Sequence, residues 1–343
     1  MAHACIKIKS TGSIELVNAP IPKLRDGYIL VKTAAVALNP TDWKHIDEMA
    51  TPGATVGCDY SGTVQEVGPG VANFKPGDRV AGLVHGSNAT NLDDGAFGEF
   101  VAAKADIQMK VPDGVSFEEA ATLGAGAITA GQHLYQSLSL PLPTSPSGDS
   151  FPVLIYGGST ATGTIAIQLA KLSGLTVITT CSPRHFDLVR SLGADHVFDY
   201  RSPDAVRDVK AVTSNSLRYA LDTVATEETA QFCSQAMGEE GGKYSSLAPI
   251  PRLPRDDVLN LSYMAFTAIG EEFEIGGLRV PARPNDSAFA ADFMKIFEEL
   301  WAKKMIKAHP VDARSGGLGG IAEGLQEMRE GRVSGVKLVY SLS

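Results

Sequence analysis

Residues 153–174 read VLIYGGSTATGTIAIQLAKLSG, and this stretch decides the fold. A β-branched apolar run, Val153 to Tyr156, enters a turn containing Gly157, Gly158 and Gly163. Ile165, Leu169 and Leu172 then recur at helical spacing until Gly174. Strand, tight turn and helix in that order open a dinucleotide-binding fold. The glycines let the backbone approach a pyrophosphate, and the first helical turn offers free N–H groups and positive potential. The turn, Gly157-Gly158-Ser159-Thr160-Ala161-Thr162-Gly163, is poorer in glycine than the usual fingerprint, so its context has to carry the reading.

Downstream, apolar strands at 153–156, 176–180, 196–200 and 219–224 alternate with helical patterns at 164–173 and 184–192. Such alternation implies βαβ units and a parallel sheet. Upstream, residues 1 to 120 read as β-rich, with strands at 28–34, 62–67 and 95–101 between Gly/Pro turns such as FKPGDRV at 74–80. Residues 117–137 read as one helix with an acidic first turn, Glu118 and Glu119. LPLPTSPSGDS at 140–150 is an exposed loop. The tail holds a helix near 289–304 and a final strand at 337–342. The fold class is α/β.

The chain has 343 residues, 44% hydrophobic and 20% charged. That suits two packed domains of ~100–200 residues each. A net charge of −9 argues against a polyanion-binding surface, so no nucleic acid is expected. Cys5, Cys58, Cys181 and Cys233 are scattered and form no CxxC pair, so neither a disulfide framework nor a zinc cluster is indicated. The N-terminal MAHACIKIKSTGSIELV lacks the apolar core of a signal peptide, and no run is long enough to span a bilayer. The expectation is a cytoplasmic protein with no membrane partner.

In a dinucleotide fold the second strand ends beside the adenosine ribose, where a carboxylate favours NAD. Here the strand is followed by Cys181-Ser182-Pro183-Arg184-His185, without a carboxylate. Ser182 can donate to a 2′-phosphate and Arg184 can offer it a charged fork, which favours NADPH. Alternatively, Arg184 only opens a solvated helix. Tyr200 ends the third strand and either lies near the adenine or packs on the core.

Several blocks together resemble the medium-chain dehydrogenase/reductase superfamily along nearly the whole length. They are ALNPTDWKH (37–45), VGCDYSGTVQEVGPGVANFKPGDRVAG (56–82), GAFGEFV (95–101) and the 153–200 region. The resemblance implies a GroES-like β-rich catalytic domain at 1–125 and 272–343. Residues 126–271 form its Rossmann NADPH-binding domain, a doubly wound parallel sheet. Zinc alcohol dehydrogenases carry a Cys ligand where this chain has Asn39-Pro40-Thr41-Asp42, and Gly-His-Glu where it has Gly57-Cys58-Asp59. The four-cysteine lobe is missing too, so no metal is expected. The branch it resembles is the quinone oxidoreductases.

VLIYGGSTATGTIAIQLAKLSG, VITTCSPRHFDLVRSLGADHVFDY (177–200) and the Pro/Ser loop before them resemble a narrower group. These are fungal trans-acting enoyl reductases that serve polyketide synthases, and the glycine-poor turn agrees with that group. The resemblance implies reduction of an α,β-unsaturated thioester on the acyl carrier protein of a partner synthase, which can be a hybrid with a peptide synthetase. It implies a monomer. It also implies nicotinamide-side contacts from Thr41, Asp42, Trp43, Lys44 and His45. Lys44 is the expected catalytic residue, anchoring the cofactor ribose or stabilising an enolate, while Asp42 orients Lys44 or caps a turn. Ser159, Thr160, Ala161 and Thr162 are expected at the pyrophosphate, and Ser182, Pro183, Arg184, His185 and Tyr200 at the adenosine end. Leu247 and Ala248 are expected by the nicotinamide ring, with Val333 and Ser334 as a further cofactor contact. The substrate pocket is expected along Gly124, Ala125, Gly126, Ala127 and Ile128, continuing through Thr129, Ala130 and Gly131, where small side chains leave room. Ala268, Ile269, Gly270, Glu271 and Glu272 complete it. Arg252, Arg255, Arg279 and Arg283 are candidates for a basic patch facing an acidic carrier. Two other functions stand beside it: a quinone or enone reductase acting on small molecules, which shares nearly every cofactor residue, and a non-catalytic NADPH-binding interaction protein, against which the intact NPTDWK block (39–44) argues.

Overall fold

The computed structural model describes residues 2–342. Strands β1 (Ala2–Ser10), β2 (Ser13–Pro20) and β3 (Tyr28–Ala37) precede helix α1 (Pro40–Glu48). Strands β4 (Asp59–Val67), β5 (Arg79–Leu83), β6 (Phe100–Lys104) and β7 (Gln108–Lys110) follow, then helices α2 (Phe117–Ala120) and α3 (Gly124–Gly131). The middle of the chain alternates β8 (Pro152–Tyr156), α4 (Ala161–Leu172), β9 (Thr176–Cys181), α5 (Phe186–Ser191), β10 (His196–Asp199) and α6 (Ala205–Val212). It continues with β11 (Tyr219–Asp222), α7 (Glu227–Ala236), β12 (Gly242–Ser246) and β13 (Val258–Ser262). The tail adds β14 (Phe273–Ile275), β15 (Leu278–Val280), α8 (Pro284–Ala302), β16 (Val311–Arg314), α9 (Gly317–Arg329) and β17 (Lys337–Ser341).

The described residues divide into two compact units, Met1–Ile128 with Phe266–Ser343, and Thr129–Ala265. In the first, a mostly antiparallel sheet runs β16-β17-β3-β4-β5-β7, with β6 pairing on β3. Ile29, Val31, Tyr60, Val64, Phe97 and Leu338 are among its fully buried core side chains. This is the GroES-like β-rich domain.

In the second unit, all six strands are parallel in the order β10-β9-β8-β11-β12-β13. Counted along the chain this is 3-2-1-4-5-6, the doubly wound dinucleotide order, with its switch point between β8 and β11. Val153, Leu154 and Ile155 are wholly buried, as a strand covered on both faces requires.

Four local expectations change. The single helix over 117–137 is three pieces: α2, capped by Ser116, whose hydroxyl accepts Glu119 N–H; α3; and a π-helical turn at Gln132–Ser137. Of the strand at 95–101 only the end enters the sheet. Ala96 and Phe97 N–H instead donate to the Gly57 and Val56 carbonyls, Gly95 takes φ +154°, and Gly98 bridges Cys5 of β1. The strand at 219–224 stops at Asp222, whose carboxylate accepts Val224 and Ala225 N–H and turns the chain. The helix near 289–304 begins earlier, at Pro284, a favoured first helical residue. Among the described residues no helix is long and apolar enough to cross a membrane.

Candidate active site

The second unit gathers its site at the carboxyl ends of its strands. Gly157 leaves β8 with φ +79°, a conformation that favours glycine. A Cβ on Gly158 would lie 2.1 Å from Thr179 Oγ1, and one on Gly163 would lie 2.3 Å from the Gly157 carbonyl oxygen. Gly157 N–H donates to Thr180 Oγ1 at 3.2 Å and Gly158 N–H to the Thr180 carbonyl at 2.9 Å. Thr160 caps α4: its hydroxyl accepts Gly163 N–H at 2.9 Å and donates to Thr223 Oγ1 at 2.9 Å. Helix geometry leaves the Ala161 and Thr162 N–H groups without intrahelical acceptors, at the positive end of a three-turn helix. The turn therefore fits a pyrophosphate.

The end of β9 carries half-buried Ser182 and His185 and exposed Pro183 and Arg184. Arg184 Nε lies 3.2 Å from His185 Nε2; burial, then the guanidinium, lower the imidazole pKa. Burial pushes the Cys181 thiol up to about 11, so it is inert. Tyr200 follows β10, 37% exposed, 6.3 Å from the Tyr156 ring and beneath the Arg201 guanidinium at 5.1 Å. Leu247 and Ala248 follow β12, where Ser246 Oγ donates to the Ala248 carbonyl at 2.8 Å. Just inside, buried His133 Nδ1 lies 2.7 Å from Ser245 Oγ, which is 2.6 Å from Ser137 Oγ. Burial drives the His133 pKa down to about 3, so this link between the π-helical turn and β12 is neutral. The fold thus brings 159–162, 182–185, Tyr200 and 247–248 to one end of one sheet.

In the first unit, Thr41 to His45 ride on α1. Asp42, 1% exposed, accepts the Asn39 N–H at 2.7 Å, so it caps the helix. Burial pushes its carboxyl up to about 7. Half-buried Lys44 has its ammonium 5.8 Å from the Trp43 ring, and Trp43 packs on the core. His45 is buried, with Nδ1 donating to the Thr41 carbonyl at 2.7 Å; burial lowers its pKa. Val333 and Ser334 lie between α9 and β17, half-buried and exposed respectively. In the small-residue run 124–131, only Ala125 and Thr129 are partly exposed. Ala268 is buried and Ile269 half-buried, while Gly270, at φ +77°, approaches Ser287 too closely for a Cβ. Glu271 accepts the Tyr28 hydroxyl at 2.8 Å, and Glu272 pairs with Arg279 at 2.6 Å. Arg252, Arg255 and Arg283 likewise sit on Asp256, Asp257 and Asp286, so the candidate basic patch is four locally paired arginines.

Sequence reasoning passes over one buried cluster, Asn39, Asp59 and Lys337. Asp59 Oδ2 accepts the Lys337 ammonium and, at 2.9 Å, Asn39 Nδ2–H. The available signal is a lysine opening the apolar strand KLVY and an aspartate opening the largely buried strand DYSG. Among the described residues no three His, Cys, Asp or Glu side chains gather to hold a metal ion. Asp59 already gives both oxygens to Lys337, Asn39 and the Ala125 N–H, so these residues do not fit a zinc ion.

Known proteins resemble this chain along its length. The family described as "Alcohol dehydrogenase GroES-like domain" matches residues 25–113, and "Zinc-binding dehydrogenase" matches residues 161–270. The trans-enoyl reductase ACTTS2 of Alternaria alternata is 46% identical over 344 residues, covering 100% of this chain and 99% of its own. The trans-enoyl reductase TOXD of Cochliobolus carbonum is 55% identical over 254 residues, 74% of this chain and 85% of its own. Among solved structures, CurK enoyl reductase matches with a TM-score of 0.77 at 19% identity over 99% of both chains. A putative zinc-dependent alcohol dehydrogenase from Rhizobium etli CFN 42 matches with 0.83 at 23% identity, over 100% of this chain and 99% of that one. These two likenesses show the fold. The full-length identity shows more: this chain belongs to the trans-enoyl reductases of the medium-chain dehydrogenase/reductase superfamily, oxidoreductases acting on a carbon–carbon double bond with a nicotinamide cofactor.

Proposed function

We propose that the chain uses NADPH to reduce an α,β-unsaturated polyketide thioester on the carrier protein of a partner synthase, including synthases fused to a peptide synthetase. The observation that carries this reading is full-length kinship to proteins named trans-enoyl reductases. NADPH rather than NADH is favoured by the turn after β9, with Ser182 and Arg184 and no carboxylate. When bound, NADPH supplies a hydride to the electron-poor β-carbon.

The chain's own residues hold, orient and neutralise. The Ala161 and Thr162 N–H groups take the pyrophosphate, and Ser182 and Arg184 the 2′-phosphate. His185 and Tyr200 border the adenosine, Leu247 and Ala248 the nicotinamide ring, and Val333 and Ser334 a further part of the cofactor. Thr41 to His45 serve the nicotinamide half. Lys44 supplies positive charge there, to the ribose or to the thioester oxygen as it gains charge. The segments 124–131 and 268–272 line the acyl chain. No metal is required, because a thioester conjugated to a double bond is already activated. A monomer in the cytoplasm completes the proposal.

The test is nicotinamide oxidation with an enoyl-pantetheine thioester, run with NADPH, with NADH and with a simple quinone. Turnover of the thioester with NADPH is expected. Arg184→Ala should raise the KM for NADPH about tenfold or more and leave NADH unaffected, the cost of a lost charged hydrogen bond. Turnover of the quinone alone, or bound NADPH with no turnover even on a carrier-bound substrate, overturns the reading.

A further inference from the structure

Four segments far apart in sequence meet on one carboxylate in the first unit. Asp59, at the start of β4, is 0% exposed, and Lys337, at the start of β17, is 3% exposed. Asp59 Oδ1 accepts the Ala125 N–H at 2.6 Å, in the first turn of α3. Its Oδ2 accepts the Lys337 ammonium and Asn39 Nδ2–H. The ammonium spends its other donors on Asn39 Oδ1 at 3.0 Å and the Thr122 carbonyl at 3.5 Å. All three lysine donors are thereby used. Gly124 permits the approach: a Cβ there would lie 2.3 Å from the Gly82 carbonyl carbon and 2.6 Å from Asp59 Oδ1.

We propose that the Asp59–Lys337 pair is a positioning device for the reductase site. It fixes Asn39, where α1 begins, and Ala125, where α3 begins, and so sets where Thr41 to His45 and the small-residue wall stand. The proposal rests on the assignment of those two helices to cofactor and substrate. Both residues act through Asn39 and the Ala125 amide, so they are positioning residues. With no water to compete, the pair holds both helix starts together or releases both.

The experiment uses the full-length chain carrying Asp59→Ala with Lys337→Met, which removes both charges and both carboxylate acceptors while Met keeps close to the volume of Lys. Hydrogen exchange is followed over 39–48 and 122–131, with β8 to β11 as the internal reference; NADPH affinity, kcat and KM are measured alongside. The expected result is a cooperatively folded protein with exchange over both segments and 1/kcat each raised about tenfold or more, and with the NADPH dissociation constant raised too, because Thr41 to His45 serve the nicotinamide half. Wild-type exchange and kcat in the folded double variant overturn the proposal. If the double variant does not fold, Asn39→Ala decides, since it leaves the ion pair and removes one arm. It should speed exchange over 39–48 and lower kcat, and no change in either overturns the proposal. Exchange is read without substrate. A wild type that turns over no enoyl thioester therefore counts against the proposed function, and unaltered exchange in the variants counts against positioning.

Discussion

The dinucleotide turn of the second unit and the charged junction of the first both serve as anchor points, and they are built by opposite means. The turn is backbone. Seven contiguous residues, 157–163, carry no charge, and three are glycines required by φ or by close approach. The junction is mostly side chain. Asn39, Asp59 and Lys337 come from three separate segments, and only Thr122 and Ala125 contribute backbone. A backbone site fails when volume is added. A buried charged site fails when one partner is taken away, leaving the other unpaired at a cost of ~3–5 kcal/mol.

The sharpest way to break this contrast is Gly163→Ala. The added carbon would stand 2.3 Å from the Gly157 oxygen and 2.9 Å from the Gly158 Cα, and backbone cannot rotate away as a side chain can. The expected cost is at or above the ~3 kcal/mol upper range of overpacking, with nicotinamide binding lost in a fluorescence titration. Gly148→Ala, where nothing lies within 4 Å, is the matched control and should stay within ~0.5 kcal/mol of wild type. Wild-type affinity in Gly163→Ala would mean that the turn is not closely packed.

The same contrast explains what could be read in the sequence. Strand, turn and helix at 153–174 are contiguous, so periodicity and glycine placement revealed the unit, and the alternation after it revealed the parallel sheet. The lack of a carboxylate after β9 is also local. The junction joins residues up to 298 positions apart, and no window of sequence contains it. Asp42 was visible as a candidate, but whether it oriented Lys44 or capped α1 depended on where the Asn39 N–H pointed. The helix over 117–137 failed for a related reason. Its periodicity is continuous, but Asp59, more than sixty residues earlier, captures the Ala125 N–H as α3 begins.

A third kind of anchor, buried, polar and neutral, sharpens the comparison through pH. His133 is held neutral by burial with its pKa near about 3, against ~6.5 in the unfolded chain. Between those values the unfolded state binds the extra proton, so this group makes stability rise with pH across about 3 to 6.5 and adds nothing above. His85, also lowered to about 3 by burial, has the same sign. Asp42, raised to about 7, has the opposite sign: the folded state holds its proton, and stability falls as pH climbs from ~4 to about 7. The raw profile therefore mixes slopes, and the difference between wild type and His133→Asn isolates one. Chemical unfolding at stepped pH should show the variant's stability curve flatter by up to ~1.4 kcal/mol per pH unit between about 3 and 6.5. Parallel curves would mean that His133 is protonated in the fold and that its link to Ser245 is a charged one.

The smallest expected effect bears on the turn itself, because one side chain does take part in it. Thr160 Oγ1 accepts the Gly163 N–H and donates to Thr223, whose own hydroxyl donates to the Tyr156 carbonyl at 2.8 Å. Thr160→Val keeps the shape and removes both bonds. If the turn is held by backbone and glycine, the loss is that of an ordinary helix cap, ~1 kcal/mol, with nicotinamide affinity changed severalfold at most. Thr223 keeps its carbonyl acceptor, so no buried hydroxyl proton is stranded. Gly163 N–H loses its acceptor, and its place near the helix start lets water or a bound phosphate replace the hydroxyl. Bound cofactor should then recover part of the lost stability, and the gap between wild type and variant should narrow in its presence. A loss reaching the ~3–5 kcal/mol of a broken buried ion pair would show instead that the turn depends on its side chains as much as the junction does.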